Sequence, residues 1–263
     1  MRKKILTGLF LSFLLPLASF AWGPNGHRIV AEIAWQHLTP QAKKAVINIL
    51  GRQSMPMIAN WPDFIKSDTT HQYDHTNKWH YLDFPANIGR AEFDNLLKEA
   101  TGENLYTQTQ AMIKDLKNKK LAKDKQVFAL SFLVHMLGDM HQPLHVGRDE
   151  DMGGNKINLT WFDKASNLHR VWDEQLIDFQ QLSYTEYSQA IDIASPARVK
   201  ELQSGTIADW MYESHVLADK VYGYTKPDSK LSYRYNYVFV DNLNDQLLKG
   251  GLRLATVLNG IFK

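Results

Sequence analysis

Apolar residues recur at three- and four-residue spacing over most of the chain, the period of a helix with one buried face. The segments 27–37, 40–50, 90–100, 104–118, 125–140, 171–180, 184–192, 207–221 and 236–261 carry this pattern and are predicted helices. Thr39-Pro40 separates the first two, a capping side chain followed by proline in the first turn. Two-residue alternation is scarce. Its best instance, Lys156-Ile157-Asn158-Leu159-Thr160-Trp161 after Gly153-Gly154, predicts one arm of a small hairpin. The expected class is therefore all-α, a single mainly helical domain with long irregular connections. Such connections count against a compact fold unless they build a site, and here they hold many of the histidines.

The first 21 residues follow a different pattern. Arg2, Lys3 and Lys4 precede an apolar run from Ile5 to Leu17, then small residues at Ser19 and Ala21. This predicts a signal peptide cut after Ala21, because the apolar run is too short to anchor the chain across a bilayer. The expectation is a secreted or periplasmic, monomeric domain of residues 22–263 without a membrane anchor. No repeat, low-complexity tract or Pro/Gly/Ser linker divides that span. Within it, 27 Lys and Arg stand against 28 Asp and Glu, a formal charge of −1. Net charge therefore offers none of the basic character usual in nucleic-acid binders. The chain contains no cysteine, so any metal must be held by nitrogen and oxygen.

The histidines and aspartates show where that could happen. His135 and Asp139 stand one turn apart on an apolar helix and face the same side. Pro143 ends this helix, so that His145 can turn back toward the pair. His169 and Asp173 repeat the spacing, while Trp61-Pro62-Asp63, Trp79-His80-Tyr81-Leu82-Asp83 and Trp22-Gly23-Pro24-Asn25-Gly26-His27 add further donors beside aromatic rings. One such pair alone is more often a hydrogen-bonded core pair than a metal site. Two pairs plus His145 in a chain without cysteine shift the balance toward metal. His37, His71, His75, His141 and His215 lack comparable spacing and read as structural or surface residues.

The segments WGPNGH, WPD, WHYLD, HMLGDMHQPLH, GGN and HRVWD, in this order between residues 22 and 173, resemble the zinc-dependent S1/P1 nuclease family of fungi, plants and bacteria. The resemblance implies a helical domain with three zinc ions in a cleft. One ion would be held by Asp63, His80, His135 and Asp139, and a second by Asp139, His27 and the terminal amine and carbonyl of Trp22. A third would be held by His145, His169 and Asp173. The ions would outweigh the carboxylates and leave a locally positive cleft in a near-neutral protein. They would also bring a water to hydroxide near neutral pH for attack on phosphorus. The implied reaction is endonucleolytic hydrolysis of single-stranded DNA and RNA to 5′-phosphate products, with 3′-nucleotidase activity. Asp63 and Lys66 would serve catalysis, Tyr81 would stack on a base, Asp83 would bond its edge, and Asn155 would contact substrate. The family commonly has arginine where this chain has Lys66; lysine offers phosphate a point charge but no planar fork. Two other readings remain open at this point: a zinc phospholipase C, whose last ligand pair usually ends in glutamate, and a non-catalytic zinc-binding protein.

Overall fold

The computed structural model describes residues 22–263, so the signal peptide and its cleavage after Ala21 lie outside the described residues. The helices are α1 (Pro24–Gln36), α2 (Pro40–Leu50), α3 (Met55–Ile58), α4 (Trp61–Phe64), α5 (Arg90–Glu99), α6 (Leu105–Lys117), α7 (Lys123–Asp139), α8 (Leu168–Arg170), α9 (Leu176–Asp178), α10 (Tyr184–Ile191), α11 (Pro196–Leu202), α12 (Ile207–Tyr224) and α13 (Tyr233–Ile261). The three strands β1 (Asn158–Trp161), β2 (Lys164–Asn167) and β3 (Lys230–Leu231) form one small sheet in the order β2-β1-β3. β1 and β2 pair antiparallel, and β3 joins β1 in parallel. The architecture is mainly helical, as the periodicity predicts, with the hairpin at the expected place.

Local chemistry accounts for the helix starts. Thr39 Oγ1 accepts from Ala42 N at 3.2 Å with Pro40 in the first turn. Reciprocal capping boxes join Asn104 to Thr107, Ser183 to Glu186 and Thr206 to Asp209, satisfying amides that have no partner inside the helix. α7 is the centre of the fold: every residue from Ala129 to Asp139 is buried. Such a helix is apolar on all sides and needs neighbours on all sides. α1, α6 and α13 are among those that provide them. Close approach of α13 to α1 depends on Gly251, where a Cβ would lie 2.5 Å from Ile33 Cβ.

Three departures from the sequence reading matter for the site. The predicted helix 171–180 is composite: α8 passes into a π-helical turn, Val171–Gln175, before α9. The loop histidines lie partly on 3₁₀ turns, Asp74–His80 and Pro143–Val146. α11 was not anticipated because Leu202 is its only buried residue, too few for a visible stripe.

Candidate metal centre

α7 delivers His135 and Asp139 to one point, with Nε2 of the histidine 3.1 Å from Asp139 Oδ2. His135 Nδ1 donates to Ala59 O at 2.7 Å. That bond fixes the tautomer and leaves Nε2 with its lone pair directed inward. From α4, whose Pro62 occupies the first turn, Asp63 places Oδ1 3.7 Å from His135 Nε2. His80 ends its 3₁₀ segment with Nδ1 2.8 Å from His135 Nε2, 3.2 Å from Asp139 Oδ2 and 3.7 Å from Asp63 Oδ1. His27 enters from α1 on the opposite side, its ring stacked on that of His135 at 3.8 Å and its Nε2 3.4 Å from Asp139 Oδ1. This approach needs Gly138, since a Cβ there would lie 2.8 Å from His27 Nδ1.

A second group adjoins the first. Gln142 Oε1 accepts from Leu144 N at 2.6 Å and shapes the turn that brings back His145. His145 Nδ1 donates to His80 O at 2.7 Å, and its Nε2 lies 3.5 Å from Asp173 Oδ1. His169 Nδ1 donates to Gly153 O at 2.6 Å and aims Nε2 at Asp173 Oδ2, 3.1 Å away. Gly153, at φ 59°, is held so close to Leu144 that a Cβ would lie 2.4 Å from its carbonyl oxygen. Only glycine meets both conditions. Gln142 Nε2 also donates to Asp173, a supporting bond that the sequence reading did not anticipate.

The structure thus assembles eight side chains from six separate segments, and three sets of them each converge within 4.8 Å: His27, His135 and Asp139; Asp63, His80 and His135; His145, His169 and Asp173. His27 Nε2, Asp139 Oδ1 and His145 Nε2, each facing the converging side chains, are buried without a hydrogen-bond partner. Leaving buried polar atoms unmatched is costly, and their concentration at one place calls for a specific explanation. A cation with nitrogen and oxygen ligands satisfies them, so the donor set fits a metal. The side chain of Trp22 is not directed into either group: its indole Nε1 donates to Gly138 O at 2.8 Å in the core. Its main chain is nearby, for Gly23 N donates to Asp173 O at 2.7 Å.

The charges are set by burial against these neighbours. Burial together with the Lys66 ammonium pushes His80 down to about 3, leaving a neutral imidazole. Burial raises the carboxyls of Asp63 and Asp139, but the surrounding imidazoles, His135 first, and for Asp63 also the Lys66 ammonium outweigh it and hold both well below the usual range. Burial also opposes protonation of His145, yet Asp139 and Asp173 raise it to about 9. Asp83 goes the other way, pushed up to about 7 chiefly by burial.

A cavity of about 340 Å³ opens beside these groups, and Lys66, Tyr81, Asp83 and Asn155 all line it. Lys66 Nζ donates to Asp63 Oδ1 at 2.7 Å. Tyr81 is 43% exposed at the mouth, while Asp83 Oδ1 is buried and unpartnered. Asn155 Nδ2 donates to Met152 O at 2.9 Å. Asn77, Asp149 and Met152 complete the wall and were not singled out from sequence; for Met152 the reason is a left-handed backbone, φ 57°, that no pattern foretells. A larger groove of about 940 Å³ lies on the other face of the 74–80 segment, lined by Trp61, Tyr73, Trp79 and Phe128. It holds none of the converging histidines and carboxylates, so the smaller cavity is the chemical one. His141 and His215 are buried and bond Leu137 O and Val146 O, His37 and His71 pair with Asp192 and Asp74, and His75 packs edge-on to Trp79.

The chain is similar over its length to known nucleases. Endonuclease 5 of Arabidopsis thaliana is 30% identical over 290 residues, spanning 100% of this chain and 97% of its own length. Endonuclease 3 of the same plant is 29% identical over 290 residues, with 100% and 96% covered. Nuclease P1 of Penicillium citrinum is 29% identical over 277 residues, with 91% and 97% covered. The S1/P1 Nuclease family matches residues 22–263, the whole of the described structure. The chain belongs to the S1/P1 nuclease family.

Proposed function

We propose that residues 22–263 form one exported, zinc-dependent nuclease domain that hydrolyses phosphodiester bonds of single-stranded DNA and RNA to 5′-phosphate products and also acts on 3′-nucleotides. The observation that carries the reading is the concentration of unpartnered imidazole and carboxylate atoms against a cleft with an exposed aromatic ring at its mouth. Asp63, His80, His135 and Asp139 would hold one ion. Asp139, His27 and the main chain of Trp22 would hold a second, and His145, His169 and Asp173 a third. Use of the Trp22 amine requires cleavage after Ala21, because only a free α-amine can become a neutral nitrogen ligand. Bound ions supply Lewis acidity toward phosphate oxygens and bring the deprotonation of a water into the neutral range.

The chain's own residues do the rest. The carbonyls of Ala59, His80 and Gly153 hold three imidazoles with Nε2 directed inward before any ligand arrives. Such pre-organisation saves reorganisation during the reaction. Lys66, anchored on Asp63, places an ammonium in the cleft where it can meet a phosphate oxygen. Tyr81 offers a ring face to a base, which a base inside a duplex cannot use; this favours single strands. Asp83 Oδ1 can accept from an amino or imino group on the base edge.

The test is product analysis. Purified protein beginning at Trp22 is incubated with RNA, single-stranded DNA and phosphatidylcholine, after chelation and again after zinc is restored. Release of nucleoside 5′-phosphates only with zinc, with lipid intact, is the expected result. Lipid cleavage without nucleotide release would return the phospholipase reading, and zinc uptake without any turnover would make the protein a metal-binding one.

A further inference from the structure

The turn that follows α7 is gripped by side chains that take no part in the metal centre. Beyond Asp139 the chain leaves the helix, and the carbonyls of Met140, His141 and Val146 lie past the end of its hydrogen-bond ladder. Each is met instead by a buried side chain of a helix distant in sequence. Ser214 Oγ on α12 donates to Met140 O at 2.6 Å, Gln246 Nε2 on α13 to His141 O at 2.8 Å, and His215 Nδ1 on α12 to Val146 O at 2.9 Å. Gln246 Nε2 also reaches Ser214 Oγ at 3.0 Å, which ties two of these supports together.

The imidazole of His141 is clamped on both sides. Its Nδ1 donates to Leu137 O at 2.7 Å, which leaves Nε2 as an acceptor, and Arg253 Nη1 on α13 donates to that atom at 3.1 Å. Arg253 is itself fixed: Nε donates to Leu202 O at 2.9 Å, Nη2 to Glu213 at 2.7 Å, and the guanidinium lies 5.3 Å from the centroid of a Trp210 ring. Arg253 is 2% exposed, whereas the side chain of its carboxylate partner Glu213 is 42% exposed. A guanidinium at that depth is costly to desolvate, and a half-solvated carboxylate compensates it poorly. An apolar side chain of similar volume would fill the space without that cost. What it could not supply is direction, the bond that fixes the His141 ring.

We infer that Arg253, acting through His141, and Gln246 are positioning residues for the metal centre, which hold the turn between Asp139 and His145 and so set how the two groups of ligands stand to each other. The inference rests on the proposed zinc nuclease activity. The two ends of this turn belong to different groups: Asp139 converges with His27 and His135, and His145 with His169 and Asp173. Asp139 Oδ1 lies 3.6 Å from His145 Nδ1, so the groups adjoin at the turn itself. Metal ligands tolerate displacements of only about 0.2 Å, and a small shift of the peptides at 140–142 therefore alters coordination in a protein that is still folded. Tyr81 and Asp83 stand on another segment, so the loss falls on turnover more than on substrate binding.

The test uses chelated protein beginning at Trp22, reloaded with cobalt(II), whose visible absorption reports ligand number and geometry, and with zinc for turnover of an oligothymidylate. Arg253→Met and Gln246→Leu keep volume and remove the directed bonds, while Arg253→Lys returns one donor. Tyr187→Phe is the control, because it removes a bond to Asn244 on the same helix, α13, outside this network. Arg253→Met and Gln246→Leu should each shift the cobalt bands and lower kcat by about tenfold or more with KM within about threefold, and Arg253→Lys should recover part of both. Tyr187→Phe should lower the melting temperature and leave the cobalt bands and kcat as in wild type. Should Arg253→Met fail to fold, Gln246→Leu decides, since it strands no charge. Wild-type cobalt bands and kcat in the folded variants, whatever their melting temperatures, or a raised KM with kcat unchanged, would overturn the inference. A wild type that binds cobalt and cleaves nothing would refute the nuclease reading, and the cobalt bands would still decide the positioning; a wild type that binds neither metal would overturn both.

Discussion

Gly138→Ala isolates the site from the fold more cleanly than removal of a ligand. The added methyl would lie 2.8 Å from His27 Nδ1 and 3.2 Å from its Cε1, where ordinary contact begins near 3.4 Å. His27 would have to retreat by about 0.6 Å. It cannot do so freely, for its ring is stacked at 3.8 Å on His135 and both residues are buried. Metal ligands tolerate displacements of only about 0.2 Å, and disturbing their immediate support typically costs ten- to a hundredfold in affinity or activity. The fold itself is less affected. Overpacking a core costs about 1–3 kcal/mol, and replacing a helical glycine by alanine returns up to about 1 kcal/mol. A net loss of about 0–3 kcal/mol lowers Tm by no more than about 12 °C in a domain of this size. The expected outcome is a folded protein with kcat/KM reduced at least tenfold and weakened zinc binding, measured by steady-state hydrolysis of single-stranded DNA and by zinc titration. Gly223→Ala on α12 is the control, as nothing lies within 4 Å of its Cβ. Wild-type turnover and zinc affinity in Gly138→Ala would refute the placement of His27 in the metal centre.

Other consequences follow from the same geometry. Lys66→Ala should lower kcat/KM on single-stranded DNA by about tenfold or more with zinc content unchanged, while Lys66→Arg should keep or raise it through a two-pronged phosphate contact; zinc loss from Lys66→Ala would show instead that the ammonium serves to hold Asp63. Tyr81→Ala should raise KM for single strands by about fivefold or more, since one base stack is worth about 1–3 kcal/mol, and an unchanged KM would return Tyr81 to a packing role. Gly251→Ala should destabilise by about 1–3 kcal/mol, seen as a lower urea midpoint, because α13 meets α1 where a Cβ would sit 2.5 Å from Ile33; an unaltered midpoint would contradict the close helix contact.

Helices with a dense apolar stripe were legible from sequence, and α2 coincides with its predicted span, 40–50. α11 escaped because a helix that buries only Leu202 has no stripe to read. β3 has two residues, too few for alternation to register. In the site, the spacing of His135 and Asp139 on α7 foretold their 3.1 Å approach, since one helix carries both. The same arithmetic worked for His169 and Asp173 although a π turn intervenes: the widened turn still leaves them 3.1 Å apart. Asp63, His80 and His27 sit on other elements, and no local period connects them to α7. Their grouping was visible only through family resemblance. The glycines that admit them, Gly138 and Gly153, show their purpose only in three dimensions, as clearances of 2.8 and 2.4 Å that a side chain would close.

The account stands most directly on a zinc titration of chelated protein beginning at Trp22, with bound metal counted by native mass spectrometry and hydrolysis of single-stranded DNA measured on the same samples. Activity absent at the start and restored in step with zinc uptake, reaching its plateau at three ions per chain, is the predicted result. Full hydrolysis in excess chelator, or zinc binding to saturation with no hydrolysis, would contradict it.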